Sequence, residues 1–142
     1  DSSTEALHSR IAFLPTTSLR TSSTTLDIVA LDCELVYTTS GMALARLTVI
    51  GEDGNVVLDE HVRPAGSVLD TNLRFSGVRE EDIAKAVLDV AGVREALGTF
   101  VGPETVIVGH GLENDLKALR LVHLSVIDTA IVSPLVPFAK TS

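Results

Sequence analysis

The acidic residues best placed for chemistry lie in the apolar run LDIVALDCELVY, where Asp32 and Glu34 flank Cys33. Side chains at positions i and i+2 of a strand point to the same face, so the two carboxylates are predicted to lie side by side, with Cys33 as a small core residue on the opposite face. Two acids on an apolar strand are costly unless their charge is offset, and Mg²⁺ prefers oxygen ligands. The spacing predicts a divalent-cation site; one exposed acid beside a salt-bridged one is the plainer alternative.

A third acid, Asp115, lies in the segment GLENDLKALRL, whose leucines recur at helical spacing and mark a core face. Asp115 lies on or near that face, where an acid needs a partner, and the Asp32–Glu34 pair is a candidate. An ordinary acid stabilised by the helix dipole is the alternative. Three carboxylates on separate elements could hold one metal ion and share a second. Two-metal sites with ions about 3.5–4 Å apart catalyse phosphodiester hydrolysis.

The two acids need a central strand, and the pattern predicts one over 26–37. Two further strands are predicted over 43–51 and 56–62, joined to it and to each other by turns at 38–41 and 52–55. The second turn contains Asp-Gly, a hairpin signal between alternating apolar runs. These three strands are expected to form an antiparallel meander.

Helical patterns alternate with strands in the rest of the chain. Helices are predicted over 79–87, 93–101 and 111–121, and strands over 105–109 and from 125 in the run 125–132. The order β-β-β-α-β-α-β predicts an α/β domain whose mixed sheet joins the meander to two parallel strands and is flanked by helices. The ribonuclease-H-like fold has this order and continues with a helix after the fifth strand, which the pattern does not predict here.

Composition narrows the function classes. The chain has 142 residues, one cysteine, 11 basic and 19 acidic residues, and a net charge of −8. One cysteine excludes an internal disulfide framework and a cysteine-based zinc site. The acidic balance argues against a broad basic surface for nucleic acid, but not against a metal enzyme with carboxylate ligands. Four Phe, one Tyr and no Trp argue against an extended base-stacking platform. No apolar run approaches the roughly 20 residues that span a membrane.

Residues 1–25 are rich in Ser and Thr and are interpreted as an N-terminal arm or linker, with one domain over 26–142. The chain starts with Asp rather than Met and ends in an apolar, proline-containing stretch. It is therefore expected to be an excised piece of a longer protein.

Four segments, LDCELVY, RFSGV, VGHGLENDLKAL and VIDT, resemble the Rex-type RNA exonucleases of the DEDDh 3′→5′ exonuclease superfamily, in order and spacing, over about 26–132. The resemblance implies a ribonuclease-H-like fold, two Mg²⁺ or Mn²⁺ ions, and removal of nucleotides from the 3′ end of single-stranded RNA or DNA. It also implies an intracellular, nuclear location. By position, Asp32, Glu34 and Asp115 match catalytic metal ligands, and Leu35 matches an apolar residue that packs against the terminal base.

The third motif of that superfamily, H-x4-D, supplies a general base and a fourth acid. His123 and Asp128 have the spacing of this motif. If 123–128 were one continuous strand, their side chains would point to opposite faces about 17 Å apart, whereas a place for His123 in the preceding loop would leave the pairing open. Asp128 instead resembles the acid of the VIDT strand, and His110 is expected to form structural hydrogen bonds in its turn. Without a third motif, the domain is expected to lack its C-terminal part and to be nearly inactive alone.

Two other functions stay open. A catalytically incomplete module could bind metal, RNA or a partner without turnover, and the carboxylates could be incidental to a structural domain. A phosphatase of the haloacid-dehalogenase type is disfavoured, because its motif is D-x-D rather than D-x-E. Phe75 is predicted to anchor the core, with substrate contact as the lesser alternative.

Overall fold

The computed structural model describes residues 12–19 and 24–132. Its strands are β1 (Leu14–Pro15), β2 (Ile28–Thr38), β3 (Gly41–Gly51), β4 (Val56–His61), β5 (Val68–Asp70), β6 (Val106–Gly109), β7 (Leu121–Val122) and β8 (Val126–Asp128). Its helices are α1 (Leu73–Ser76), α2 (Glu80–Lys85), α3 (Val90–Leu97), α4 (Leu112–Leu119) and α5 (Thr129–Val132), and a 3₁₀ turn covers Thr16–Ser18.

Most of these strands form one mixed sheet in the order β4-β3-β2-β6-β8, and β5 also pairs with β2. Strands β2, β3 and β4 are an antiparallel meander, whereas β6 and β8 run parallel to β2. The predicted α/β sheet with a three-strand meander and two parallel strands is confirmed. Strand β2, which carries Asp32 and Glu34, lies in the middle of the sheet.

Short elements account for most of the differences from the predictions. Strands β1 and β7 have two residues each and pair in parallel, Leu14 with Leu121, so they depend on a contact between distant parts of the chain. Residues 129–132 form helix α5 rather than continuing a strand, so a helix does follow the last strand of the sheet.

Phe75 is 74% exposed, so the prediction that it anchors the core is wrong. Helix α1 is a single turn between Asn72 and Gly77, both in the left-handed conformation. This short turn directs Ser76 inward instead. The Ser76 hydroxyl donates to the Thr71 carbonyl and accepts from the Val78 backbone N–H.

The main core lies between the sheet and helices α3 and α4, and it includes the buried Cys33. Gly109, at the end of β6, allows α4 to start close to β2. A Cβ atom at this position would lie 2.5 Å from Leu112 Cδ2 and 2.8 Å from the Leu31 carbonyl oxygen. This close approach places Asp115 on α4 against the strand that carries the other two acids.

The described part of the N-terminal segment packs on this domain. The Leu14 N–H donates to the Arg120 carbonyl at 3.0 Å, and the buried Arg94 donates from Nη1 to the carbonyls of Ala12 and Arg120, also at 3.0 Å. The boundary between an arm over 1–25 and a domain from 26 stays a prediction. Among the described helices, none has the length and apolar character to cross a membrane.

Candidate functional site

Asp32 and Glu34 lie in the middle of β2, Asp32 exposed and Glu34 half-buried. Burial and the charge of Asp32 raise the pKa of Glu34, and the charge of Arg46 lowers it. Arg46 lies opposite Glu34 on β3 but is held by Asp59 through two hydrogen bonds of 2.9 Å. None of the ion pairs within the described ranges includes Asp32 or Glu34. The alternative of a salt-bridged acid is therefore not seen there.

Asp115 lies in the first turn of α4 and is only 6% exposed. Its Oδ2 atom is buried without a hydrogen-bond partner. Burial raises the pKa of Asp115 to about 7, with further contributions from the charges of Asp32, Glu34 and Asp128, while a hydrogen bond with the Cys33 backbone lowers it. A helix dipole would lower this pKa. Burial and neighbouring carboxylates therefore dominate, and Asp115 shares its electrostatic environment with both acids of β2.

Asp128, at the end of β8, holds the start of the helix that carries Asp115. Its carboxylate accepts from the backbone N–H groups of Gly111 at 2.9 Å and Leu112 at 2.8 Å, and from Ala130 at 2.9 Å. Burial raises the pKa of Asp128, but these three hydrogen bonds together bring it below its ordinary value. The sequence alone sets Asp128 apart from the metal ligands but does not predict this positioning role. The sequence contains one signal for this role. Asp128 ends a strand that is parallel to β6, and β6 leads directly into the Gly-x-Gly turn at 109–111.

His110, in that turn, shares a hydrogen bond of 3.0 Å between Nδ1 and the Thr129 hydroxyl. Thr129 also donates to the Gly109 carbonyl at 3.2 Å. The expectation that His110 forms structural hydrogen bonds agrees with these contacts.

His123 is buried and hydrogen-bonded rather than open to a substrate, as a general base would have to be. It is 7% exposed, its Nδ1 lies 2.7 Å from the Thr16 hydroxyl, and its Nε2 donates to the Thr105 carbonyl at 2.6 Å. Thr105 in turn donates from its hydroxyl to the Leu26 carbonyl at 2.6 Å. His123 thus ties the N-terminal segment to the start of the sheet, while Asp128 caps α4, and the two residues do not act as a pair.

We expect His123→Ala to lower the free energy of unfolding by about 2–4 kcal/mol, because it opens a cavity and leaves buried polar partners unsatisfied. Urea unfolding followed by circular dichroism measures this loss. His61→Ala is the matched control, since His61 is partly exposed and lies 3.8 Å from Asp82, and it should change stability by less than about 1 kcal/mol. Unchanged stability with loss of RNA hydrolysis would instead make His123 a catalytic residue.

The three predicted ligands have the donor chemistry for a divalent cation, since all are carboxylates. Within residues 12–19 and 24–132, no three His, Cys, Asp or Glu side chains are already grouped as a metal-binding cluster. The buried, unpartnered Oδ2 of Asp115 is nevertheless an atom that lacks an electropositive partner. A cation bound near Asp115, Asp32 and Glu34 would be the partner of this oxygen, so the three residues fit a divalent metal ion. Their role as ligands stays a prediction.

Leu35 follows Glu34 at a register shift between β2 and β3. Such irregularities bend a strand and are frequent next to active sites. Leu35 lines an open groove of about 630 Å³, which Asn114, the residue before Asp115, also lines. The groove is therefore lined by the sequence neighbours of Glu34 and Asp115, although no carboxylate of the described residues lines it.

The mixed sheet thus carries two carboxylates on its central strand and a third on a neighbouring helix, the arrangement that the resemblance to RNA exonucleases implies. The chain shares its fold with part of the Pan2 catalytic unit of Neurospora crassa, described as a protease and nuclease domain, at a TM-score of 0.67 and 20% identity over 86% of this chain and 22% of that one. It also resembles a Saccharomyces cerevisiae Pan2 RNA exonuclease module in complex with AAGGAA RNA, at a TM-score of 0.61 and 26% identity over 77% of this chain and 22% of that one.

Proteins of similar sequence show the family to which the chain belongs. The chain is 47% identical over 107 residues to exonuclease GOR of Pan troglodytes, and 43% identical over 107 residues to RNA exonuclease 1 homolog of Homo sapiens. It is 44% identical over 115 residues to RNA exonuclease 3 of Schizosaccharomyces pombe. No protein-family model matches the chain. The chain belongs to the RNA exonuclease family of the DEDD superfamily.

The matched region is a small part of each relative. It covers 75% of this chain against 16% of exonuclease GOR and 9% of the human protein, and 79% of this chain against 21% of the Schizosaccharomyces pombe protein. The chain thus spans less than a quarter of the length of these relatives.

Proposed function

We propose that this chain forms catalytic machinery of a divalent-metal-dependent exoribonuclease that removes nucleotides from the 3′ end of single-stranded RNA. The observation that carries the proposal is the buried Asp115 carboxylate, with an unpartnered Oδ2 and a pKa raised to about 7 by burial and by Asp32 and Glu34. Such a carboxylate is destabilising alone and suits a cation site. RNA exonuclease relatives support the substrate class.

In this proposal Asp32, Glu34 and Asp115 hold two Mg²⁺ or Mn²⁺ ions. When bound, the ions supply activation of the attacking water and stabilisation of the leaving oxygen. Asp128 holds the start of α4 and so keeps Asp115 directed at β2. Leu35 packs against the 3′-terminal base and positions it at the carboxylates. The nuclear location stays a prediction from the resemblance.

The direction of hydrolysis is tested with a single-stranded RNA labelled at either end, incubated with Mn²⁺ and the full natural protein. We expect the 3′ label to appear at once in mononucleotides, while the 5′ label passes through a ladder of shortening products. Release of the 5′ label as mononucleotide, or internal cuts from the start, would contradict the proposal. An EDTA reaction is the control for metal dependence.

A second candidate is an incomplete module that binds metal or RNA without turnover. One observation favours it for the 142-residue chain alone: each histidine in the described ranges is engaged elsewhere, His61 near Asp82, His110 with Thr129, and His123 with Thr16 and Thr105. In the same RNA assay, this chain should bind RNA but hydrolyse it far more slowly than the full natural protein. Equal rates would reject the second candidate.

A further inference from the structure

The groove beside Leu35 runs along α4 to the N-terminal segment. At its near end lie Leu35 and Asn114, which are next in sequence to Glu34 and Asp115. Met42 of β3, 46% exposed, also lines it. At its far end lie Lys117, Arg120 and Phe13. The groove is thus lined by the immediate sequence neighbours of two of the proposed ligands, and its lining combines apolar, basic and aromatic side chains.

Phe13 is held at the far end by contacts on both sides of it. The Ala12 carbonyl accepts from Arg94 Nη1, and the Leu14 N–H donates to the Arg120 carbonyl. The Arg120 guanidinium lies 5.2 Å from the centre of the Phe13 ring. Phe13 is still 49% exposed. An aromatic ring with a guanidinium over it and half of its surface exposed is a suitable stacking partner for a nucleobase.

The charge of the groove is opposite to that of the chain. The whole sequence has a net charge of −8, yet two of the side chains lining this groove, Lys117 and Arg120, are cations. Lys117 also forms a 2.9 Å pair with Glu113, but both side chains are mostly exposed. Such an exposed pair contributes little to stability, so Lys117 can contact a phosphate at small cost. An acidic protein that binds RNA needs a local basic path of this kind.

We propose that this groove binds the nucleotides immediately upstream of the 3′-terminal nucleotide of single-stranded RNA. One upstream base stacks on Phe13, and Lys117 and Arg120 contact the phosphates that lead from it towards Leu35. The inference rests on the proposed function, because the carboxylates set the position of the 3′ end. In this proposal the N-terminal segment that contains Phe13 binds substrate.

The test measures binding of fluorescein-labelled hexaadenylate to the 142-residue chain by anisotropy, and binding of adenosine monophosphate by competition, with Ca²⁺ present. We expect Phe13→Ala to weaken hexaadenylate binding roughly 5- to 100-fold, the range for loss of one stacked base, and to leave binding of the mononucleotide within twofold. Phe75→Ala is the matched control, since Phe75 is also exposed and lies 5.5 Å from the guanidinium of Arg74. It should leave both affinities within twofold.

A second variant tests the charge without altering the N-terminal segment. Lys117→Gln should reduce the slope of log affinity against log salt by about 0.7, the value for one phosphate contact in a single strand. Lys85→Gln, on the exposed side of α2, should not change it. If the wild-type chain binds hexaadenylate while Phe13→Ala and Lys117→Gln match it, the groove assignment alone is overturned. If the wild-type chain has no saturable affinity for hexaadenylate, the proposed function fails and the groove assignment fails with it.

Discussion

Replacing Asp32 by alanine is expected to slow metal-dependent RNA hydrolysis by the full natural protein about 10³-fold or more. A metal ion contributes several kcal/mol of transition-state stabilisation, and each 1.4 kcal/mol corresponds to about a tenfold change in rate. Asp32 is exposed on the central strand, so the substitution leaves the core intact. Initial rates of mononucleotide release from a labelled oligoribonucleotide measure the effect.

The matched control for Asp32→Ala is Asp27→Ala. Asp27 is also an exposed aspartate and lies five positions earlier, just before β2 begins at Ile28. Its removal makes the net charge of the chain less negative by the same single unit, so a general electrostatic effect on RNA binding would appear in both variants. Equal rates for the wild-type protein and Asp32→Ala would reject Asp32 as a metal ligand.

Replacing Asp115 by asparagine is expected to stabilise the metal-free chain by about 2–4 kcal/mol at pH 8 and by less than about half as much at pH 5. The pKa of Asp115 is raised from 3.8 to about 7. A raised pKa favours folding while the group is protonated. The favourable contribution is complete below the unfolded pKa near 3.8 and is lost as the pH rises through about 7. Above that pH the buried carboxylate is charged, and asparagine removes this penalty.

Urea unfolding at pH 5 and pH 8 in EDTA measures this difference, and Glu113→Gln on the exposed side of the same helix is the control. Adding Mn²⁺ at pH 8 should raise the melting temperature of the wild-type chain and of Glu113→Gln but not that of Asp115→Asn. A wild-type chain whose stability is the same at both pH values would contradict the buried, charged Asp115. A full Mn²⁺ response in Asp115→Asn would reject it as a ligand.

The sequence predicted the strands and helices that carry the three carboxylates because those elements have regular periods. Period-two alternation in β2 places Asp32 and Glu34 on one face, and helical spacing places Asp115 near the core face of α4. The elements missed were short. Strands β1 and β7 exist through their pairing with each other, and a two-residue segment has no period to detect.

The amino-acid sequence by itself determined the α/β sheet, its meander, the family and the three carboxylates proposed to act together. Only the tertiary structure decided the state of those groups and the roles of their neighbours. The pKa of Asp115, the capping of α4 by Asp128 and the placement of His123 between Thr16 and Thr105 all depend on residues far apart in the chain. Burial and hydrogen bonding between such residues arise from packing, which local periodicity does not encode.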